Sequence, residues 1–292
     1  MKKKVVVFGG SGFLGSYVVD ELFKRGYDVV VADIQKSEYV KNYKFEKVNI
    51  MDIGRVKEVV KGVDFVYNFI AIANLDEAIN KPIDTMSINV IGNMNILEAC
   101  REVNVKRFVY ASSAYALSSE GSFYGISKQM SEKIIEEYQK RYGLDFTVIR
   151  YGSVYGERAS HNNYIYNLIK KALKTGVLEY KGDGEDIREY IHAADAAKLS
   201  VDILENEKYK NEHIILTGIE KLRRKELLIM INEILGNKFQ IKNIEPEYFG
   251  HYKITPYSYQ HPTPGKKLVA NPYIDMGQGL LECIKKIMNS EG

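Results

Sequence analysis

A tyrosine and a lysine four residues apart, Tyr124 and Lys128, with Ser113 eleven residues upstream, are the side chains best placed to do chemistry in this chain. Positions i and i+4 share one face of a helix. Helical periodicity continues from Tyr124 through Ile134, Ile135 and Tyr138. A phenol titrates near ~10 and is a poor base at neutral pH. A neighbouring ammonium favours the phenolate, so the spacing predicts a phenol of lowered pKa. Such a phenolate takes the proton of an alcohol as hydride leaves the same carbon, and Ser113 would hold the alcohol in place. A base so placed is worth roughly a hundred- to ten-thousandfold in rate. Among 22 tyrosines, Tyr-x-x-x-Lys alone is a chance-level pattern, and its competing reading is an amphipathic helix with a surface lysine. Its weight comes from the elements around it.

The first of these elements lies at the start of the chain. Val5, Val6, Val7 and Phe8 read as a buried strand, and Tyr17, Val18, Val19, Leu22 and Phe23 recur at helical spacing. Between them stand Gly9, Gly12 and Gly15, with Phe13 and Leu14 opening the helix. Strand, glycine turn and helix present backbone N–H groups and a positive helix end to a pyrophosphate. Gly9 allows the tight turn, Gly12 the close approach of phosphate, and Gly15 the close packing of helix on strand. A second buried strand over residues 28–32 ends in Asp33, eighteen residues past Gly15, where a carboxylate meets an adenosine ribose. No Gly-Lys-Ser/Thr follows the glycines, which excludes a P-loop. Asp33 favours NAD over NADP, because a carboxylate repels a 2′-phosphate. Ile34 and Gln35 follow it, and Lys36 is the one nearby cation that argues the other way.

Further strands are expected over residues 45–49, 64–70, 107–111 and 145–150, separated by helices that include residues 89–101. Alternation of this kind argues for an α/β fold with a Rossmann-type, doubly wound, mostly parallel sheet. Asp52, with Ile53 beside it, is a candidate for the adenine edge or a plain helix cap. Ala71 is small where a cofactor backbone would pass. Past residue 156 the pattern changes. Residues 181–184 form a turn, Asp195 is expected to cap a helix, and residues 213–217 read as another strand. Two lobes follow: residues 1–155 for the cofactor, with a return around 187–217, and a smaller substrate lobe over 156–292.

Composition narrows the remaining classes. A net charge of +3 in 292 residues is too balanced for a dedicated nucleic-acid binder. Two cysteines, Cys100 and Cys283, offer neither a disulfide framework nor metal-ligand spacing, so no metal is expected. No apolar run approaches membrane-span length, and the N-terminus enters a strand directly. These features point to a cytoplasmic protein.

Taken in order, Gly9-x-x-Gly12-x-x-Gly15, Asp33, Asp52, Asn89-x-x-Gly92, Ser113, Tyr124-x-x-x-Lys128 and Arg188-x-Tyr190-Ile191-His192 resemble the extended short-chain dehydrogenases/reductases. More narrowly, the chain resembles the NAD-dependent nucleotide-sugar epimerase/dehydratase family. The resemblance implies NAD in the N-terminal lobe and a nucleotide-diphosphate sugar, GDP-, UDP- or dTDP-linked, in the cleft. It implies oxidation of a sugar hydroxyl, most often at C4, by a C4 dehydrogenase or C4 epimerase in surface-polysaccharide sugar biosynthesis. It makes Tyr124 the base, Lys128 its electrostatic partner and ribose contact, and Ser113 the orienting donor. Arg188 would meet the diphosphate, with an ion pair to Glu185 or Asp186 as the alternative. Asn89 lies at a position near the cofactor, or caps a helix. A homodimer through the helices around residues 89–101 and 125–142 is also implied.

The departures are specific. Ser113, Ala114 and Tyr115 stand where 4,6-dehydratases carry Thr-Asp-Glu, so dehydration is not expected. The loop from Ser113 to Tyr124 is short. Ser153 replaces an asparagine at a substrate-contact position, and Asn68 replaces a frequent histidine. No C-terminal phosphate-binding arginine is evident; His251, Lys253 and His261 are the substitutes to consider. The alternatives are a keto-sugar reductase of the same family and a non-catalytic NAD(H)-binding regulatory protein.

Overall fold

The computed structural model describes residues 2–244, 250–256 and 265–291; His261 lies outside the described residues. The first six strands are β1 (Lys4–Phe8), β2 (Asp28–Asp33), β3 (Lys44–Lys47), β4 (Phe65–Asn68), β5 (Arg107–Ser113) and β6 (Phe146–Tyr151). Seven further strands follow: β7 (Ser153–Tyr155), β8 (Val177–Lys181), β9 (Ile187–His192), β10 (Glu212–Leu216), β11 (Lys221–Arg223), β12 (Gln240–Ile244) and β13 (Lys266–Leu268). The helices of the first half are α1 (Phe13–Lys24), α2 (Ile53–Val59), α3 (Leu75–Asn80), α4 (Pro82–Met86), α5 (Asn93–Glu102) and α6 (Ser122–Tyr142). Those of the second half are α7 (Tyr164–Thr175), α8 (Ala193–Asp202), α9 (Arg224–Ile234) and α10 (Met276–Glu291).

Eight parallel strands form the main sheet in the order β13-β10-β6-β5-β4-β1-β2-β3. The order reverses at β1, whose neighbours are β2 on one side and β4 on the other. A crevice therefore opens above the carboxyl ends of these strands. Alternate residues of β1 supply the two faces. Val6 and Phe8 pack with Val56, Ile96, Leu97 and Ile135 of α2, α5 and α6. Val5 and Val7 pack with Val18, Val19 and Leu22 of α1 and Ala197 and Val201 of α8. Each such side chain contributes roughly 1.5–3 kcal/mol on burial. The sheet is sandwiched between helical layers, the doubly wound arrangement that the sequence predicts.

The second half builds a separate core from Ile165, Ile169, Leu227, Ile231, Leu280 and Ile284 of α7, α9 and α10. Its sheets are β11-β9-β7 and β12-β8. β9 thus lies outside the main sheet, whereas β10 pairs with β6 inside it.

Three local expectations differ from the structure. The helix expected over residues 89–101 begins earlier, at Pro82, and α4 runs into α5 through a π turn at Ser87–Gly92. Proline at the first helical position explains the early start, because its missing N–H is an orphan there anyway. Asp195 does not cap α8. The His192 ring nitrogen Nδ1 accepts from the Ala194 amide at 3.3 Å, and Asp195 instead accepts from the Ile274 amide at 2.6 Å. β3 stops at Lys47, short of Asn49, where the chain turns into the cap of α2.

Candidate active site

The glycine turn closes on its own backbone. Gly9 has φ +76°, a region costly for side-chain-bearing residues, and its amide donates to the Ala32 carbonyl at 2.9 Å. A Cβ on Gly15 would lie 2.2 Å from the Gly9 carbonyl oxygen, so α1 seats against the turn only with glycine there. A Cβ on Gly12 would meet only that same oxygen, at 3.1 Å, which leaves its other side open. Gly12 caps α1 without a side chain. The first-turn amides of a helix, here including those of Phe13 and Leu14, lack intrahelical partners and point outward.

Asp33 ends β2 with its carboxylate held by backbone. It accepts from the Ser11 amide at 3.1 Å and the Ile34 amide at 2.8 Å. Burial raises its pKa, and these N–H groups act in the opposite direction. Lys36 turns away toward β3, with its Nζ 3.5 Å from the Tyr43 carbonyl and 5.9 Å from the Phe45 ring. Asp52 caps α2 by accepting from the Arg55 amide at 3.1 Å, and Ile53 beside it is exposed.

Asn89 caps no helix. It is buried in the π turn, where its side chain accepts from the Ile72 amide at 2.8 Å. It also donates to the Ile72 carbonyl at 3.1 Å and to Ser127 Oγ at 2.9 Å. The loop after β4, which carries Ala71, is thereby clamped to α6. This loop passes so near Gly9 that a Cβ there would sit 2.9 Å from the Ile70 nitrogen. Asn68, in place of a histidine, spans Asn93 at 2.9 Å and the Ile70 amide at 3.0 Å.

Ser113, Tyr124 and Lys128 come together where β5 meets α6. Ser113 acts on the Tyr124 phenol in favour of its charged form, and its hydroxyl accepts from the Tyr115 amide at 3.3 Å. Lys128 is 3% exposed, its Nζ donates to the Ala111 carbonyl at 2.6 Å, and it lies 5.7 Å from the Tyr124 ring. Tyr124 sits in the first turn of α6, where the helix end favours negative charge. The lowering expected of the phenol rests on the ammonium together with a bound nicotinamide ring; in the protein alone the direction is upward. Burial pushes Tyr124 up to about 12, against the opposing action of Ser113, and burial pushes Lys128 down to about 7. In this dry site desolvation dominates, because it penalises the charged form of both groups.

The facing wall comes from the second half. Arg188 on β9 lies 3.4 Å from Asp186 and stacks its guanidinium 4.2 Å from the Tyr252 ring. Tyr252 packs on Tyr115 with ring centroids 4.6 Å apart, and Ser153 acts on its phenol in favour of the charged form. Tyr115 in turn lies 6.1 Å from Tyr124 and bonds His251 at 2.8 Å. Ser153, Arg188 and His251 are thus linked to Tyr124 through two tyrosines. Lys253 contributes its carbonyl, which accepts from the Ile187 amide at 2.7 Å.

Sequence reasoning misses Arg224, which clasps Asp186 at 2.9 and 2.5 Å beside Arg188. It also misses Tyr252. The only signal for Arg224 was its place at the start of a helix after a basic run, which reads equally well as surface. Glu157, His192 and Glu282 also converge. His192 Nδ1 accepts from the Ala194 amide, and its Nε2 lies 3.4 Å from a Glu157 carboxylate oxygen.

Fold and site together define a dinucleotide-dependent oxidoreductase. The family model described as the NAD dependent epimerase/dehydratase family matches residues 5–217, and the chain belongs to this family. It is an NAD-dependent enzyme, which sets aside the regulatory-protein alternative. The chain is 30% identical over 227 residues to a UDP-glucose 4-epimerase of Lactobacillus helveticus, covering 66% of this chain and 69% of that one. It is 26% identical over 321 residues to a UDP-N-acetyl-alpha-D-glucosaminuronate decarboxylase of Bacillus cytotoxicus, covering 98% of both. The fold matches a UDP-glucose 4-epimerase of Thermotoga maritima with TM-score 0.86 at 23% identity, covering 99% of this chain and 100% of that one. No described helix is long and apolar enough to cross a membrane.

Proposed function

We propose that this enzyme oxidises the C4 hydroxyl of a nucleotide-diphosphate sugar, as a C4 epimerase or C4 dehydrogenase serving surface-polysaccharide synthesis in the cytoplasm. The observation that carries the reading is the meeting of Ser113, Tyr124 and Lys128 at the crevice beside the glycine turn. The residues fit NAD: Gly9, Gly12 and Gly15 leave a cradle that a side chain would fill, and Asp33 ends the second strand. Bound NAD supplies the hydride acceptor and a positive ring charge. The Phe13 and Leu14 amides would hold its pyrophosphate, Asp33 its adenosine ribose, Asp52 and Ile53 its adenine end, and Lys128 its other ribose. Asn89 acts by positioning the loop of Ala71.

Ser113 donates to the sugar hydroxyl and Tyr124 accepts its proton. Charged Lys128 and the N-terminal end of α6 stabilise the Tyr124 phenolate that takes this proton and becomes the neutral phenol. Arg188 and Arg224, two planar cations on the one shared carboxylate of Asp186, suit the diphosphate. Ser153 contacts the sugar. Residues 1–155 carry the cofactor side and 156–292 the sugar side. Exposed Ile83 and Ile91 on the α4–α5 run, with Ile126 and Met130 on α6, give a homodimer its apolar contact.

The similarity to UDP-sugar enzymes places UDP first among the nucleotides to test. Purified enzyme is incubated with UDP-, GDP- and dTDP-linked sugars while nicotinamide absorbance and product stereochemistry are followed. A C4-inverted sugar without net NADH identifies an epimerase, and a keto-sugar with stoichiometric NADH a dehydrogenase. No change in either readout across the panel refutes the reading.

A further inference from the structure

Two consecutive residues at the end of β5 are fastened to successive turns of α6, and the next residue, Ser113, acts on Tyr124 one turn earlier. The Ala111 carbonyl accepts from Lys128 Nζ at 2.6 Å, and Ser112 Oγ donates to Glu132 Oε1 at 2.5 Å. Tyr124, Lys128 and Glu132 are spaced i, i+4 and i+8, so they share one helix face. Glu132 is 2% exposed and grips Arg150 of β6, which is 0% exposed. Arg150 Nε lies 3.0 and 3.2 Å from the two carboxylate oxygens and Nη2 2.6 Å from Oε2. Ser112 and Arg150 are register partners across β5 and β6. One buried carboxylate therefore joins a helix to two adjacent strands, directly behind the reacting groups.

We propose that Glu132 is the positioning residue of this site: through Ser112 and Arg150 it sets the register of α6 on β5, and so holds Tyr124 and Lys128 against Ser113. The proposal rests on the catalytic reading of those three residues. Stability alone does not account for such a pair, since apolar residues of similar volume often do as well or better. Geometry does. A guanidinium fork on a carboxylate is directional, and a misplacement of about 1 Å costs on the order of a hundredfold in rate.

Glu132 has a second effect on the same helix face. Its negative charge opposes the burial that lowers Lys128 to about 7. The other groups facing Lys128 are the rings of Tyr110 and Tyr124, at 4.7 and 5.7 Å. Around Glu132 stand Ser112, Arg150 and His213 of β10, whose Nε2 is 3.7 Å away, and Glu136 faces the same His213 nitrogen at 3.4 Å.

The test uses three full-length variants. Ser112→Ala keeps the buried ion pair and removes only the tie to β5. It is expected to lower kcat about tenfold, with KM for the nucleotide sugar within twofold and the Lys128 titration unchanged. Glu132→Gln is expected to lower kcat by about a hundredfold. It should also lower the Lys128 titration midpoint, read by NMR of labelled lysine in the ligand-free protein, by about one unit. Glu132→Asp restores the charge but not the reach, so it should restore the midpoint and leave kcat low. Folded variants with kcat within twofold of wild type overturn the proposal. If Glu132→Gln does not fold, Ser112→Ala decides alone by the same criterion. If the wild type turns over no nucleotide sugar, the functional reading fails, and an unchanged Lys128 midpoint in Glu132→Gln overturns this proposal in its own right.

Discussion

The Ser11 amide donates to the Asp33 carboxylate at 3.1 Å, and this bond ties the glycine turn to the tip of the second strand. Two features separated by 22 residues become one structural unit. Asp33→Asn keeps the shape and removes the charge. NAD affinity is expected to fall about tenfold while NADP affinity rises or holds, since the barrier to a 2′-phosphate is that charge. Titration calorimetry with both dinucleotides measures it. Unchanged discrimination between them removes Asp33 from the ribose site.

Tyr124→Phe keeps the ring that packs against Tyr115 and removes the hydroxyl that Ser113 meets. Turnover is expected to fall by roughly a hundred- to ten-thousandfold. NAD affinity and the melting temperature should remain close to wild type, which separates lost chemistry from lost structure. Full activity in this variant assigns the proton transfer elsewhere.

His213 gives a pH test of the fold. Burial pushes its pKa down to about 4, against the pull of Glu132 and Glu136, with Arg150 and Lys133 adding to the lowering. The unfolded chain holds this proton below about 6.5 and the folded chain refuses it until about 4. Stability is therefore complete above pH 6.5 and is lost as pH falls through that window, at about 1.4 kcal/mol per unit. Denaturant unfolding at pH 7.5 and 4.5 should show a larger loss in wild type than in His213→Gln, by roughly 2–3 kcal/mol. Equal losses place the acid sensitivity in other groups.

The cofactor side was legible from sequence because its determinants are local. Residues 5–15 show strand, turn and helix in one stretch, and Tyr124 and Lys128 are neighbours by helix geometry alone. Ser113 needed only the expectation that a strand end and a following helix start meet. The sugar side was not legible in the same way. Asp186 meets Arg224 across 38 residues of chain and Arg188 meets Tyr252 across 64, and no periodic pattern marks such pairings. Nor do residue types reveal how dry a site is. The spacing of Tyr124 and Lys128 predicted mutual charge stabilisation, whereas the burial of both decides their titration in the structure. The cap of α8 failed for a simpler reason: His192 and Asp195 both carry acceptors, and only the former precedes the first turn.

The short stretch around Tyr252 has a consequence for how the enzyme is made. Gly250 accepts from the Gly121 amide at 3.0 Å, just ahead of the helix that carries Tyr124, and Tyr252 backs Arg188. These fastenings reach the reaction centre from the last sixth of the polypeptide. During synthesis the glycine turn and Tyr124 are made well before this wall, and the main sheet itself closes only later, when β13 joins β10.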